Sequence, residues 1–89
     1  MNSESDSSIL SILFRFVQKA EIILSKETIT KGALKMWTGG LRSQIKKIYG
    51  EDHEVISSLT DIFKETDRVL DIRIEFENRL NLLKSYISK

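Results

Sequence analysis

The stretch that decides the fold is residues 30–50, which read TKGALKMWTGGLRSQIKKIYG. Apolar side chains recur in it at steps of three and four residues, the spacing of one face of an α-helix, and these are Leu34, Trp37, Leu41, Ile45 and Ile48. Thr28 or Thr30 is suited to cap the first turn, and Gly50 is suited to end the helix in a left-handed conformation. The pattern therefore predicts helix 2 over about residues 31–49.

Two adjacent glycines, Gly39 and Gly40, lie in the middle of this helix. Each costs roughly 1 kcal/mol relative to alanine in a helix interior, so we expect either a bend or the close approach of another backbone. Beside its apolar face, helix 2 has a face of small residues and one methionine, which are Ala33, Met36, Gly40 and Ser43. Such a face is suited to the close packing of a second helix, either within the chain or from a partner.

A second helical pattern, helix 1, covers about residues 8–25. Its apolar residues span an arc of about 140° at ~100° per residue, and they are Ile9, Ile12, Leu13, Phe16, Val17, Ala20, Ile23 and Leu24, with Leu10 widening the arc. A single neighbour needs a narrower face, so helix 1 is predicted to be central and contacted from two sides. Residues 1–7 lack apolar periodicity and predict a disordered tail before one domain over 8–89.

The last third of the chain predicts two more helices. Asp52 is a natural N-cap for helix 3 over about 53–65, and Thr66 or Asp67 is suited to begin helix 4, which runs to about 87. The stripe of helix 4 has a mean step of about 3.6 residues and contains Val69, Ile72, Phe76, Leu80, Leu83 and Ile87. Residues 70–76 also alternate like a strand, which leaves 67–76 open between helix and strand, although a single strand would have no partner.

The composition agrees with a small all-α protein. The 89 residues are 40 % hydrophobic and 30 % charged, with a net charge of +1 and no proline or cysteine. The absence of cysteine excludes disulfides and thiolate metal sites, and the longest apolar run is far shorter than the ~20 residues of a membrane span. We therefore predict an antiparallel four-helix bundle that is cytoplasmic, with no cofactor and no membrane association.

Part of the chain resembles a known kind of module. Trp37, Leu41 and Ile45 are followed by KIYGEDHEVI at 47–56. This run resembles a helical N-terminal module of bacterial proteins, in which a helix bearing a Trp ends in an aromatic–Gly–Glu–Asp–Ser turn before a further helix. Such modules are placed before effector domains, including TIR-like predicted nucleotide-binding proteins of antiphage defence. The resemblance covers about residues 10–63, departs at Tyr49 and His53, where Phe and Ser are usual, and implies a regulatory or assembly module.

The sequence contains no constellation typical of an enzyme. His53 is the only histidine, no glutamate precedes it by three residues, and no arginine stands before it with four to six residues between them, as in helical ribonucleases. The neighbouring acids Glu51, Asp52 and Glu54 lack the spacing of a calcium loop and are typical of the first turn of a helix. We therefore predict no catalytic or metal-ligating residues and interpret His53 as a solvated position near a helix N-terminus.

A basic stripe on helix 2 supports an alternative function. Four cations fall within an arc of about 60°, beside the apolar face, and these are Lys31, Lys35, Arg42 and Lys46. Such a stripe is able to follow nucleic-acid phosphates. It contains no aromatic residue for base stacking, however, and solvated helix faces commonly carry such charges.

The function favoured by the sequence is a non-enzymatic interaction or oligomerisation module. Leu70, Ile74 and Leu82 lie off the main stripe of helix 4, and Leu70 and Ile74 are predicted to share the opposite face of that helix. Together with the wide stripe of helix 1, they provide more apolar surface than one small bundle can cover. We therefore predict that these three residues form an interface with a protein partner or a second copy of the chain.

Overall fold

The computed structural model describes the backbone of residues 3–88 and the side chains from Ile9 onward, and within that part of the chain the fold is all-α. It consists of three long helices and one short helix, which are α1 (Ser3–Leu24), α2 (Lys31–Tyr49), α3 (Glu54–Ser58) and α4 (Ile72–Ile87). The all-α prediction is confirmed. The strand alternative for 67–76 is wrong, because these residues form a turn followed by the start of α4.

Helix α2 agrees with its prediction at both ends. The Oγ1 atom of Thr30 accepts a hydrogen bond of 3.1 Å from the N–H of Ala33, which caps the first turn. At the other end Gly50 has a φ of 96°, and its N–H donates to the carbonyl of Lys46. A positive φ is costly for residues with a side chain, so glycine at position 50 allows the chain to leave α2 sharply toward α3.

Helix α1 begins at Ser3, earlier than the predicted start at about residue 8. It therefore includes residues 3–7 of the predicted tail, whereas Met1 and Asn2 lie outside the described residues. Serine and acidic residues, which are common in this stretch, are favoured in the first turns of helices. The helix packs against both α2 and α4, which confirms its predicted central position.

Trp37 lies at the centre of the core, as its position in the α2 stripe predicts. Its side chain is 3 % exposed and lies between the rings of Phe16 and Phe76, with ring centres 6.4 and 5.1 Å away. The indole N–H donates a hydrogen bond of 2.8 Å to the carbonyl of Phe16, which ties α2 to α1. A Cβ atom on Gly40 would lie 3.4 Å from the Phe16 ring, whereas one on Gly39 would meet nothing within 4 Å. The neighbour of Gly40 is a side chain at van der Waals distance, so the close approach of another backbone that was predicted for the glycine pair is not observed at either position.

The predicted bounds of helices 3 and 4 are wrong. Helix α3 ends at Ser58 instead of about residue 65, and its N-cap is His53 instead of Asp52. Beyond it the chain turns tightly, with the N–H of Ile62 donating to the carbonyl of Leu59 at 2.9 Å, so that both of these side chains are buried. The chain therefore leaves the helical path at Leu59, which is the C-cap of α3.

Helix α4 begins at Ile72, because Asp71 caps it. The Asp71 carboxylate accepts a hydrogen bond of 3.1 Å from the N–H of Ile74. Residues 59–71 therefore form an irregular connection, the 59–71 segment, which passes alongside α2 to reach α4. Phe76, Leu80 and Leu83 of the predicted stripe are buried, as expected.

Candidate interaction surface

The basic stripe of α2 holds the 59–71 segment. The Nζ atom of Lys35 lies 2.7 Å from the carboxylate of Asp67, and the Nζ atom of Lys31 donates to the Asp67 carbonyl at 2.9 Å. The guanidinium of Arg42 lies 6.0 Å from the centre of the Phe63 ring. Because these three cations contact one connection, their alignment on α2 has an intramolecular explanation.

The fourth cation of the stripe also has a partner, since Lys46 lies 3.3 Å from the carboxylate of Glu51. The hydrogen bond from Lys35, together with its charge, lowers the pKa of Asp67 below its ordinary value, and the same contact raises the pKa of Lys35. Both groups are exposed, so the pair orders the segment more than it stabilises the fold.

A buried arginine, which the sequence analysis missed, joins three parts of the fold. Arg79 is 1 % exposed. Its Nε atom donates to the carboxylate of Glu75 at 2.7 Å, and its terminal nitrogens donate to the Oγ1 atom of Thr38 at 3.1 Å and to the Glu65 carbonyl at 3.4 Å. The arginine thereby connects α4 to α2 and to the 59–71 segment. In the sequence, the signal for its burial was its position three residues after Phe76, on the apolar stripe of helix 4.

A second arginine of α4 fixes the connection between α1 and α2. The guanidinium of Arg73 donates to the carbonyls of Leu24 at 2.8 Å and of Lys26 at 2.7 Å. The Leu24 carbonyl is one of those that a helix leaves without partners at its C-terminal end, and Lys26 lies in the connection that follows α1. The connection over 25–30 and the 59–71 segment are therefore both held by charged side chains. These contacts were not apparent from the sequence.

The predicted interface residues are exposed but do not form one helical face. Leu70 is 99 % exposed and Ile74 is 55 % exposed. The prediction that they share a face of helix 4 is wrong, because Leu70 precedes the N-cap Asp71 and lies in the 59–71 segment. Leu82 lies two turns beyond Ile74 and lines a shallow cavity against residues 58–62. Leu70 and Ile74 are thus two exposed apolar side chains on either side of the N-cap Asp71, and Leu82 is apart from them.

Further apolar side chains are exposed on α1 and α2. Leu10, Phe14 and Ile22 lie at positions i, i+4 and i+12 of the outer side of α1. On α2, Met36 is 80 % exposed at the edge of an apolar groove of about 330 Å³ between α1 and α2. The sequence indicated an excess of apolar surface on helix 1 but did not indicate this groove.

His53 lies at the end of the molecule where α1, α2, α3 and α4 meet, beside a groove of about 410 Å³. Its Nδ1 atom accepts a hydrogen bond of 3.2 Å from the N–H of Val55, and its ring lies 4.9 Å from that of Tyr49. Across the groove, burial raises the pKa of Tyr86, and the charge of Glu54 adds to this effect. The histidine is half-buried and caps α3, so it is near a helix N-terminus as predicted but less solvated.

The described residues contain no group of three or more side chains suited to hold a metal ion. None of the helices within 3–88 combines the length and apolar character needed to cross a membrane. Comparison of the chain with protein-family models, curated proteins and solved structures finds no match. No activity can therefore be carried over from a relative.

Proposed function

We propose that this chain is a non-enzymatic interaction module that associates with copies of itself, using the apolar surface of Leu70 and Ile74. The observation that carries the proposal is the 99 % exposure of Leu70 immediately before the capped start of α4. Asp71 makes the capping hydrogen bond, and the core is complete without Leu70. A fully exposed leucine that is close in sequence to a second exposed apolar residue adds no packing to the core and suits a contact with another protein.

Many large apolar side chains are exposed among the described residues, and these are Leu10, Phe14, Ile22, Met36, Ile48, Leu70, Ile74 and Leu82. Association would remove part of this apolar area from water, which is the main driving force of such contacts.

Nucleic-acid binding has less support than association. The cations that suggested it are Lys31, Lys35, Arg42 and Lys46, and each of them contacts another part of the chain. A phosphate would have to compete with these intramolecular partners, and the net charge of +1 gives little attraction at long range.

The proposal also includes the packing direction of the helices and the cellular role of the module. The connection over 25–30 is short, which favours antiparallel packing of α1 and α2. The resemblance of residues 10–63 to helical leader modules favours a cytoplasmic role in regulation or assembly of a bacterial defence protein. In that setting, association of the helical module would bring attached domains together.

Sedimentation velocity over a range of protein concentrations tests the association. We expect the wild-type chain to form dimers or larger species, and the variant Leu70→Lys/Ile74→Lys to sediment as a monomer with unchanged helicity by circular dichroism. Phe14→Lys, at an exposed site on α1, is the matched control and should associate like the wild type. A wild-type chain that stays monomeric at high concentration would refute the proposal.

A further inference from the structure

The groove beside His53, of about 410 Å³, lies at the end of the molecule where the four helices meet. We call it the end groove, and its lining includes Ile9 of α1, Tyr49 of α2, Glu54 and Val55 of α3 and Tyr86 of α4. A volume of this size is typical of sites for small molecules, which are concave and largely apolar with a few placed polar groups. The lining therefore indicates which class of small molecule would fit.

The inner part of the end groove is apolar and aromatic. Ile9 is 9 % exposed and Val55 is 4 % exposed, so they form an aliphatic floor that is shielded from water. The rings of Tyr49, His53 and Tyr86 are half-buried beside this floor. A tyrosine ring carries partial negative charge on its face and attracts cations. The lining therefore suits a ligand that has both an apolar part and a positive charge.

Two of the titratable groups in this lining are neutral. The Nδ1 atom of His53 accepts a hydrogen bond from the N–H of Val55 at 3.2 Å, and a ring nitrogen that accepts carries no proton. Burial raises the pKa of Tyr86, and the charge of Glu54 raises it further, so the phenol keeps its proton at neutral pH. The charge of the described lining therefore comes from the Glu54 carboxylate.

Glu54 makes no ion pair with any described residue. Its effect on the pKa of Tyr86 shows that its charge reaches across the end groove. Lys46, a cation near the end of α2, pairs with Glu51 at 3.3 Å instead. A negative charge without a partner therefore lies beside an apolar floor and two tyrosine rings.

We propose that the end groove binds a small organic ammonium compound, with its apolar part against Ile9 and Val55 and its cation beside Glu54 and the tyrosine rings. A neutral apolar compound would gain only the contact with the floor, and an anion would be repelled by the carboxylate. The inference is independent of the proposed self-association, because neither Leu70 nor Ile74 lines the end groove.

The apolar groove between α1 and α2 does not suit the same ligand. Its floor contains Phe16 and Trp37, but its charged side chain is Lys19, whose Nζ atom lies 4.8 Å from the centre of the Phe16 ring. This lysine already occupies the position of a cation near the ring and would repel a second one. The groove between α1 and α2 is therefore an internal control for binding at the end groove.

Titration with benzyltrimethylammonium chloride, followed by the amide NMR signals of the full chain, tests the proposal. Signals of residues 49–56 and 86 should shift saturably with a Kd of about 1–5 mM, as expected for a ligand of this size, and those of residues 33–40 should not. Benzyl alcohol and phenylacetate carry the same ring without charge and with a negative charge, and they should bind at least about threefold more weakly. Absence of saturable shifts, or equal binding of benzyl alcohol, would show that the proposal is wrong.

Charge removal tests the role of Glu54. Glu54→Gln keeps the size of the side chain and should weaken binding of benzyltrimethylammonium about three- to fivefold. Asp52→Asn is the matched control, because it removes the same charge from an exposed neighbour outside the lining. It should change the Kd by less than about 1.5-fold, since salt screens exposed charges. Equal effects of the two variants would overturn the assigned contact with Glu54.

Tyr86 provides a readout that does not depend on affinity. Bound benzyltrimethylammonium should lower the pKa of Tyr86, because a nearby cation stabilises the phenolate. Tyrosine titration by NMR, with and without the probe, measures this change, and an unchanged pKa at saturation would overturn the proposal. Tyr86→Leu removes the ring and should weaken binding about threefold, whereas Tyr86→Phe keeps the ring and should stay within about twofold.

A lysine side chain of a second copy is another source of an ammonium group. The variant Leu70→Lys/Ile74→Lys, which is expected to be monomeric, should bind benzyltrimethylammonium with the affinity of the wild type. If the wild type binds the probe much more weakly than this variant, or if the probe dissociates wild-type assemblies, a second copy fills the end groove and the proposal of a small ligand is wrong.

Discussion

Replacement of Trp37 by alanine is expected to remove a large part of the stability of the fold. The indole is 3 % exposed and contacts Phe16 of α1 and Phe76 of α4. It therefore joins the three long helices at one point. Trp37→Ala leaves a cavity there and also removes the hydrogen bond to the Phe16 carbonyl.

The expected loss follows from these contacts. Removing a buried aromatic side chain costs about 3–5 kcal/mol, and this range includes the cavity that remains. A chain of 89 residues has a free energy of unfolding of about 4–13 kcal/mol at 0.05–0.15 kcal/mol per residue. Trp37→Phe retains most of the ring but loses the indole N–H, so we expect it to cost about 1–2 kcal/mol.

Urea unfolding followed by circular dichroism measures the loss directly. Trp37 is the only tryptophan, so fluorescence cannot follow the variants. With a slope of about 1 kcal/mol per molar urea, Trp37→Ala should lower the midpoint by about 3 M or more, or leave the chain unfolded without denaturant. Met36→Ala changes the adjacent, 80 % exposed side chain and should shift the free energy of unfolding by less than about 0.5 kcal/mol.

A midpoint for Trp37→Ala within error of the wild type would refute this account of the core. It would mean that the three helices are held together elsewhere. If Trp37→Phe costs as much as Trp37→Ala, the hydrogen bond to the Phe16 carbonyl, not the packing of the rings, would carry the contribution of this residue.

Three further outcomes are expected. Arg79→Ala should lower the free energy of unfolding in urea by about 3–5 kcal/mol, because it removes a buried charge and leaves its hydrogen-bond partners unsatisfied. A loss below about 1 kcal/mol would contradict the buried network. The lowered pKa of Asp67 means that its pair with Lys35 stabilises the fold above the ordinary carboxyl value of 3.8 and loses this effect as the pH falls through the lowered pKa. Carboxyl titration by NMR should therefore show the pKa of Asp67 rising in Lys35→Met, and an unchanged pKa would exclude the pair in solution. The wild-type chain should give no gel shift with nucleic acid at about 50 mM salt, whereas a shift that Lys35→Glu/Arg42→Glu abolishes would restore the nucleic-acid alternative.

Helix α2 could be predicted from sequence because its signals are local. The cap at Thr30, the glycine at position 50 and the stripe between them depend only on residues within one helix. The central position of α1 also followed from its own pattern, since the width of an apolar face reports how many neighbours it contacts. The patterns of α1 and α2 alone were therefore enough to predict that Trp37 lies in the core.

The region after α3 could not be predicted in this way, because its conformation depends on distant residues. The 59–71 segment carries helix-like spacing at Leu59, Ile62 and Phe63, yet it is held as a turn through Arg79 and the cations of α2. The sequence suggested Thr66 or Asp67 as the start of helix 4, whereas Asp71 is the N-cap of α4, and the path of the segment decides between them. An arginine is also expected at the surface, so the inward position of Arg79 on the core stripe was overlooked.

The contacts of the basic residues change what their pattern in the sequence means. On a helical wheel the stripe from Lys31 to Lys46 is the most conspicuous cluster of charges in the sequence. In the structure each of its cations contacts the 59–71 segment or Glu51. A charge is available to an external partner only where the fold has not already paired it. The alignment of these four cations on one helix face is therefore weaker support for a phosphate-binding surface than their spacing alone suggests.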